Sequence, residues 1–262
     1  MVASPRSTRR KLAVATWRPS RDGRLYGRVA IDATALLKFV ADLRESSGVR
    51  VSVTHVVGKA AARAMREVPE AHARVVLGRI VEFPRCDVGF AVDIAGEDLA
   101  PVKVAAADTL SVPEIAQALE AGALDLRAGR DPAYLMTSRL ARLLPPSLIR
   151  AALNLASVVN GGLGRAAFGQ PAFPLGSVFV SNVGAFGLDE VLLAQVPFAR
   201  VPVYVCVGRI SDAALVVDGQ VMVRPQLIVT FTSDHRIVDG AQAGRFVHAV
   251  KEALLNPSLL SS

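Results

Sequence analysis

The feature that most constrains this chain lies near its C-terminal end, where Asp218-Gly219 sits between two apolar, β-branched runs. Asp-Gly tolerates the positive backbone angles of a two-residue turn, so this pair predicts a tight antiparallel hairpin. The surrounding blocks "VPVYVCVGRI", "ALVVDGQVMVRP" and "QLIVTFTSD" read as three strands, which makes the C-terminal third an antiparallel meander. Ala243, Phe246, Val247, Val250 and Leu254 then recur on one helical face, and Pro257 ends the pattern. A final helix is expected to close against those strands.

The earlier two thirds is richer in helical patterns. "DATALLKFVADLRESSG" carries Leu36, Leu37, Val40 and Leu43 on one face and stops at Gly48. A second helix is expected from Thr54, as N-cap, to Pro69, and its small apolar residues suit burial against a sheet. "RVVLGRIVEF", "CDVGFAVDI" and "DLAPVKVAAA" are short strand-like runs. Ser111 and Glu114, with Pro113 between them, form a capping box that opens another helix. From Arg139 to Val159 the apolar spacing predicts two short helices split at Pro145 and Pro146. A Gly- and Pro-rich loop, Asn160 to Gly176, then leads into the strand "SVFVSNVG". Helices early, strands late and a helix after the last strand imply an α+β fold, a mixed sheet with packed helices, and no linker divides it.

Composition narrows the function classes. The 262 residues carry a net charge of +7, yet outside "RSTRRK" the basic residues are interspersed with acids, and aromatics are only 5%, so nucleic acid is not an expected partner. Cys86 and Cys206 lie in apolar surroundings without paired spacing, which predicts buried free thiols, no metal site and a reducing cytoplasm. No run approaches the roughly 20 apolar residues of a membrane span.

Four histidines are present, and only His235, in "TFTSDHRIVDGA", stands at a strand-to-helix junction with acids one residue before and four after it. Imidazole is the side chain whose unperturbed pKa, about 6.5, suits proton transfer near neutrality. Local sequence leaves two readings open, a base in a cleft or a satisfied surface pair. His55, His72 and His248 read as capping or surface residues.

The blocks "VSVTHVVGKAAARAMREVPEAHA", "VGFAVDIAGEDLAPVKV", "SVFVSNVGAFG", "VYVCVGRI" and "DHRIVDGAQAGRFVHAVKEALLNP", in this order, resemble the catalytic domain of the dihydrolipoamide acyltransferases of 2-oxoacid dehydrogenase complexes, a family related in fold to chloramphenicol acetyltransferase. The resemblance implies a chloramphenicol acetyltransferase-like sandwich and an acyl group moved between coenzyme A and a lipoyl-type thiol. It implies His235 as general base, Ser181 as donor to the oxyanion, and Asp239 as a structural residue ion-paired to an arginine, with Arg9, Arg10 and Arg18 as candidates. It further implies a homotrimer whose active sites lie between subunits.

On this basis residues 1–27 are a basic N-terminal arm and 28–262 the catalytic domain, with an atypical helical insertion at about 127–175 expected to pack on protein rather than to contact membrane. His72 stands where the family usually has asparagine. No lysine has the hairpin-tip context of a lipoylation site, so the lipoyl group is expected from another chain, alongside 2-oxoacid dehydrogenase components. Coenzyme A is a substrate, and no tightly bound cofactor is expected. Two alternatives remain: a coenzyme A-dependent transferase to a hydroxyl or amine, and a trimeric scaffold without activity.

Overall fold

The computed structural model describes residues 23–94 and 98–261. Its centre is a six-stranded mixed sheet in the order β1-β8-β7-β6-β4-β5, with a separate two-stranded sheet of β2 and β3. The strands are β1 (Arg24–Asp32), β2 (Ala73–Val76), β3 (Arg79–Glu82), β4 (Val88–Ile94), β5 (Asp98–Val104), β6 (Val178–Asn182), β7 (Val203–Val217) and β8 (Gln220–Asp234). Four helices, α1 (Thr34–Ser47), α2 (Val53–Glu67), α3 (Val112–Arg127) and α6 (Gly240–Leu255), accompany the sheet, and α4 (Pro132–Leu143) and α5 (Pro146–Ala156) lie between α3 and β6.

The expected hairpin is present. Asp218 and Gly219 have φ of 50° and 80°, and β7 and β8 pair antiparallel from Val217↔Gln220 down to Val203↔Ser233. The expected meander is corrected in two respects. The three strand-like blocks merge into two strands of 15 residues. β6 also pairs parallel to both β4 and β7, because three helices and a long loop carry the chain from β5 back to the end of the sheet from which β7 also starts. The arm boundary shifts as well, since Arg24 to Gly27 pair with β8 and belong to the sheet.

One face of the sheet meets the helices. Val178, Val180, Val203, Val205, Val207, Leu227, Val229 and Phe231 form one buried cluster with Val56, Val57, Ala60, Ala61 and Ala64 of α2 and Phe246, Val250 and Leu254 of α6. The alanines of α2 let its backbone approach the sheet closely, while Phe231 and Phe246 meet edge to face with ring centroids 6.1 Å apart. The other face is covered in part by the segment between β6 and β7, whose Ala199 and Val201 pack with Leu175 and Tyr204.

The N-cap of α2 is Ser52 rather than Thr54. The Ser52 side chain receives the His55 backbone, and the Ser52 N–H donates to His55 Nδ1 at 3.1 Å, so the box is closed by a histidine. The Ser111–Glu114 box at α3 forms as expected. Two helices divided near Pro145 also form, followed by a π-helical turn, Ser157–Gly162. This segment has its own small core of Ala141 and Ile149 with Leu144 and Leu153. Where it rejoins the sheet, Lys103 Nζ donates to the Ala172 carbonyl at 2.6 Å and lies 3.5 Å from the Asp87 carboxylate. No helix among the described residues is long and apolar enough to cross a membrane.

Candidate active site

His235 follows the last residue of β8 and opens the turn that leads into α6. Its backbone N–H donates to the Gly23 carbonyl at 3.2 Å, and the N–H groups of Ile237 and Val238 both return to the Asp234 carbonyl at 3.0 Å. Val238 is fully buried in the main core, so its side chain anchors the turn and its carbonyl faces the imidazole. His235 Nδ1 lies 3.1 Å from that carbonyl oxygen. A carbonyl can only accept, so in the neutral imidazole Nδ1 carries the proton and Nε2 the lone pair, on an exposed ring.

Neither flanking acid contacts the ring. Asp234 is engaged by Arg236, with Nε to Oδ1 at 2.9 Å and a terminal guanidinium nitrogen to Oδ2 at 2.6 Å, and it also accepts the Arg236 N–H. Asp239 is the N-cap of α6: its Oδ1 accepts from the N–H groups of Ala241 and Gln242, and Gln242 Oε1 accepts the Asp239 N–H. Among the described residues the Asp239 carboxylate serves this capping box and meets no arginine. Arg9, Arg10 and Arg18 lie outside those residues.

Ser181 lies in β6 beside Cys206 of β7. Successive strand residues alternate between faces. Val178 and Val180 enter the helix-side core and Asn182 reaches Thr54 of α2, so Phe179 and Ser181 belong to the opposite face. Phe179 packs there against Tyr204 with ring centroids 5.3 Å apart. The Ser181 hydroxyl makes no hydrogen bond among the described residues, whereas the Asn182 side chain is engaged at both its nitrogen and its oxygen, donating to Thr54 Oγ1 at 2.7 Å and accepting from the Gly184 N–H at 2.8 Å. Of the two neighbours, Ser181 is the one left for a ligand.

The strand end beyond Ser181 is closed by glycine. A Cβ on Gly208 would stand 1.8 Å from the Asp189 carbonyl oxygen, so only glycine lets the 184–189 loop cross β7 there. The β7–β8 register shifts at the same place, between Val207 and Ile210. Cys206, next to Ser181, is buried, and that burial pushes its thiol up to about 11; burial likewise pushes Cys86 up to about 12. Both thiols therefore stay protonated and unreactive.

One protomer does not bring Ser181 and His235 together. Asp234 stands at the level of Pro202 and Ser181 at the level of Cys206, four residues away along β7, with β8 and β6 on opposite sides of β7. At about 3.3 Å per residue and about 4.8 Å per strand, Asp234 and Ser181 are roughly 16 Å apart. His235 also turns toward Gly23, on the β1 side and away from β6.

Two of the other histidines, His55 and His72, have structural roles. His55 closes the α2 capping box, and burial, assisted by the Arg44 charge, lowers it to about 4. His72 caps a short 3-10 turn and lies against Phe83, and its burial also lowers it. His248 is exposed on α6. Sequence reasoning missed the two backbone carbonyls that hold His235, those of Val238 and Gly23, because no side-chain pattern marks a carbonyl.

The mixed sheet with helices on one face defines an α+β sandwich of the chloramphenicol acetyltransferase type, and a chloramphenicol acetyltransferase structure matches it with a TM-score of 0.51 at 13% identity over 89% of each chain. A closer structural match is dihydrolipoamide acetyltransferase from Azotobacter vinelandii, with a TM-score of 0.68 at 20% identity, covering 92% of this chain and 84% of that one. The family model for 2-oxoacid dehydrogenases acyltransferase (catalytic domain) matches residues 12–133 and 172–261, and the chain belongs to that family. Among curated relatives, the dihydrolipoyllysine-residue acetyltransferase component of the pyruvate dehydrogenase complex of Mycoplasma capricolum is 28% identical over 236 residues, 87% of this chain and 44% of the relative. The chain thus spans less than half the length of that relative.

Proposed function

We propose that this chain transfers an acyl group between coenzyme A and a lipoyl-type thiol, with His235 as general base and Ser181 as oxyanion donor. The observation that carries this reading is the Val238 carbonyl at His235 Nδ1, which directs the lone pair of Nε2 outward in a chain of an acyltransferase family. Nε2 takes the proton of the attacking thiol, ordinarily of pKa about 8.5, and such base assistance contributes typically ~10²–10⁴-fold. The thiolate attacks the thioester carbonyl, and the charge gathering on its oxygen is met by the Ser181 hydroxyl. Collapse expels the second thiolate, which recovers the proton from His235.

Supporting the assignment, the Azotobacter vinelandii enzyme has been investigated for the roles of a serine, a histidine and an asparagine four residues after the histidine in its catalytic mechanism. Here Asp239 stands four residues after His235. With asparagine at that place in the other enzyme and a helix cap here, a positioning role for Asp239 fits better than proton relay. Because Ser181 and His235 are far apart in one protomer, the complete site requires two chains, which favours a trimer with sites between subunits. An insertion at about 127–175 in that catalytic domain is supported by the family model's leaving 134–171 unmatched.

The test is to supply the purified protein with acetyl-CoA and, separately, succinyl-CoA, with free dihydrolipoamide as acceptor, and to follow release of coenzyme A. Turnover dependent on dihydrolipoamide is expected. A folded trimer that releases coenzyme A only with a hydroxyl or amine acceptor would replace the thiol reading, and one that turns over no acyl-CoA would make the chain a scaffold.

A further inference from the structure

Ser181 stands where β6 loses one of its two neighbours. β4 pairs with β6 only from Val178 to Val180, whereas β7 remains alongside through Asn182. Past Val180 one edge of the strand has no ladder partner among the described residues, and segments with fewer backbone bonds open more easily. A slip of one residue there would exchange the faces of Ser181 and Asn182.

Two side-chain bonds stand in for the missing ladder. Asn182 Nδ2 donates to Thr54 Oγ1 at 2.7 Å, and Asn182 Oδ1 accepts from the Gly184 N–H at 2.8 Å, so one amide ties the strand end both to α2 and to the following turn. Thr54 is itself well fixed, because it lies in the first turn of α2 between the two members of the Ser52–His55 capping box. With Asn182 held on the helix side, alternation places Ser181 on the other face.

We propose that Thr54 and Asn182 are positioning residues for Ser181, which hold its hydroxyl at the oxyanion without touching substrate themselves; this rests on the acyl-transfer reading above. The Thr54–Asn182 bond spans 128 residues of sequence and joins the helix layer to the one strand that carries Ser181. Its loss leaves β6 folded along Val178 to Val180 but releases the residues beyond.

The experiment is a double-mutant cycle on the full chain, with Thr54→Val and Ser181→Ala made singly and together, and coenzyme A release measured at saturating acetyl-CoA and dihydrolipoamide. Thr54→Val is expected to lower kcat about tenfold, as small misplacements of a catalytic group do, with KM for acetyl-CoA changed less than about twofold. Thr54→Ser, which restores the acceptor, is expected to recover the wild-type kcat. In the Ser181→Ala background Thr54→Val should cost nothing more. An unchanged kcat in Thr54→Val, or an equal loss in both backgrounds, overturns the proposal while leaving the acyl-transfer reading intact. Wild-type kcat in both Ser181→Ala and His235→Ala would instead overturn that reading and the proposal with it. If Thr54→Val does not fold, as judged by circular dichroism, Thr54→Ala takes its place in the same cycle.

Discussion

If Ser181 and His235 serve one site from two chains, inactive variants of each should repair one another. Within a protomer the two positions are separated by four residues along β7 and by two strand spacings, which gives roughly 16 Å from Asp234 to Ser181. A base and an oxyanion donor on the same carbonyl need to lie within a few ångströms of it. Co-expression of Ser181→Ala and His235→Ala chains with different tags, followed by purification over both tags, isolates mixed trimers. In a cyclic trimer holding both variants, whichever is in excess, a single interface joins an intact Ser181 to an intact His235. The mixed trimers should therefore recover about a third of the wild-type rate, while each parent stays at background. The assay is coenzyme A release per trimer. Mixed trimers as inactive as both parents would show that each site is built within one chain, and would refute the reasoning from sheet register.

Stability should depend on pH through His55. Burial, with the Arg44 charge second, lowers it from 6.5 to about 4, so the unfolded chain binds the proton more readily than the folded one. The contribution is complete above pH 6.5 and is lost as pH falls through about 4, up to about 3 kcal/mol. His55→Gln, which can still close the capping box, should flatten the denaturant midpoint against pH over that window, and a variant that retains the wild-type slope would rule His55 out. Asp239→Ala removes the cap of α6 and should cost about 1 kcal/mol together with a fall in kcat, whereas Asp239→Asn, also a good cap, should keep both near wild type. Equal loss of kcat in the two variants would point to a role for the charge of Asp239 instead.

Local signals in the sequence translated well into local structure. Asp218-Gly219 forms its hairpin, Ser111 and Glu114 form their box, and Pro145 marks the break between α4 and α5, because each rests on residues within a few positions of one another. The parallel pairing of β6 with β7 was not legible, since a strand's partner is chosen by the return path of a distant segment. Ser52 and Thr54 are both capping residues, and the choice fell to Ser52 because His55 stands where it can return the second bond. At the site, the blocks around His235 and Ser181 were readable by resemblance. The division of labour between the acids was not, because it depends on Arg236 folding back onto Asp234 and on where α6 begins.

In the proposed mechanism His235 removes the proton from the attacking thiol. The most direct measurement is the kcat for acyl transfer from acetyl-CoA to dihydrolipoamide in His235→Ala, with trimer content and fold verified. A fall of at least ~10²-fold, with KM for acetyl-CoA little changed, is the predicted result. A folded His235→Ala trimer that turns over at the wild-type rate would contradict it.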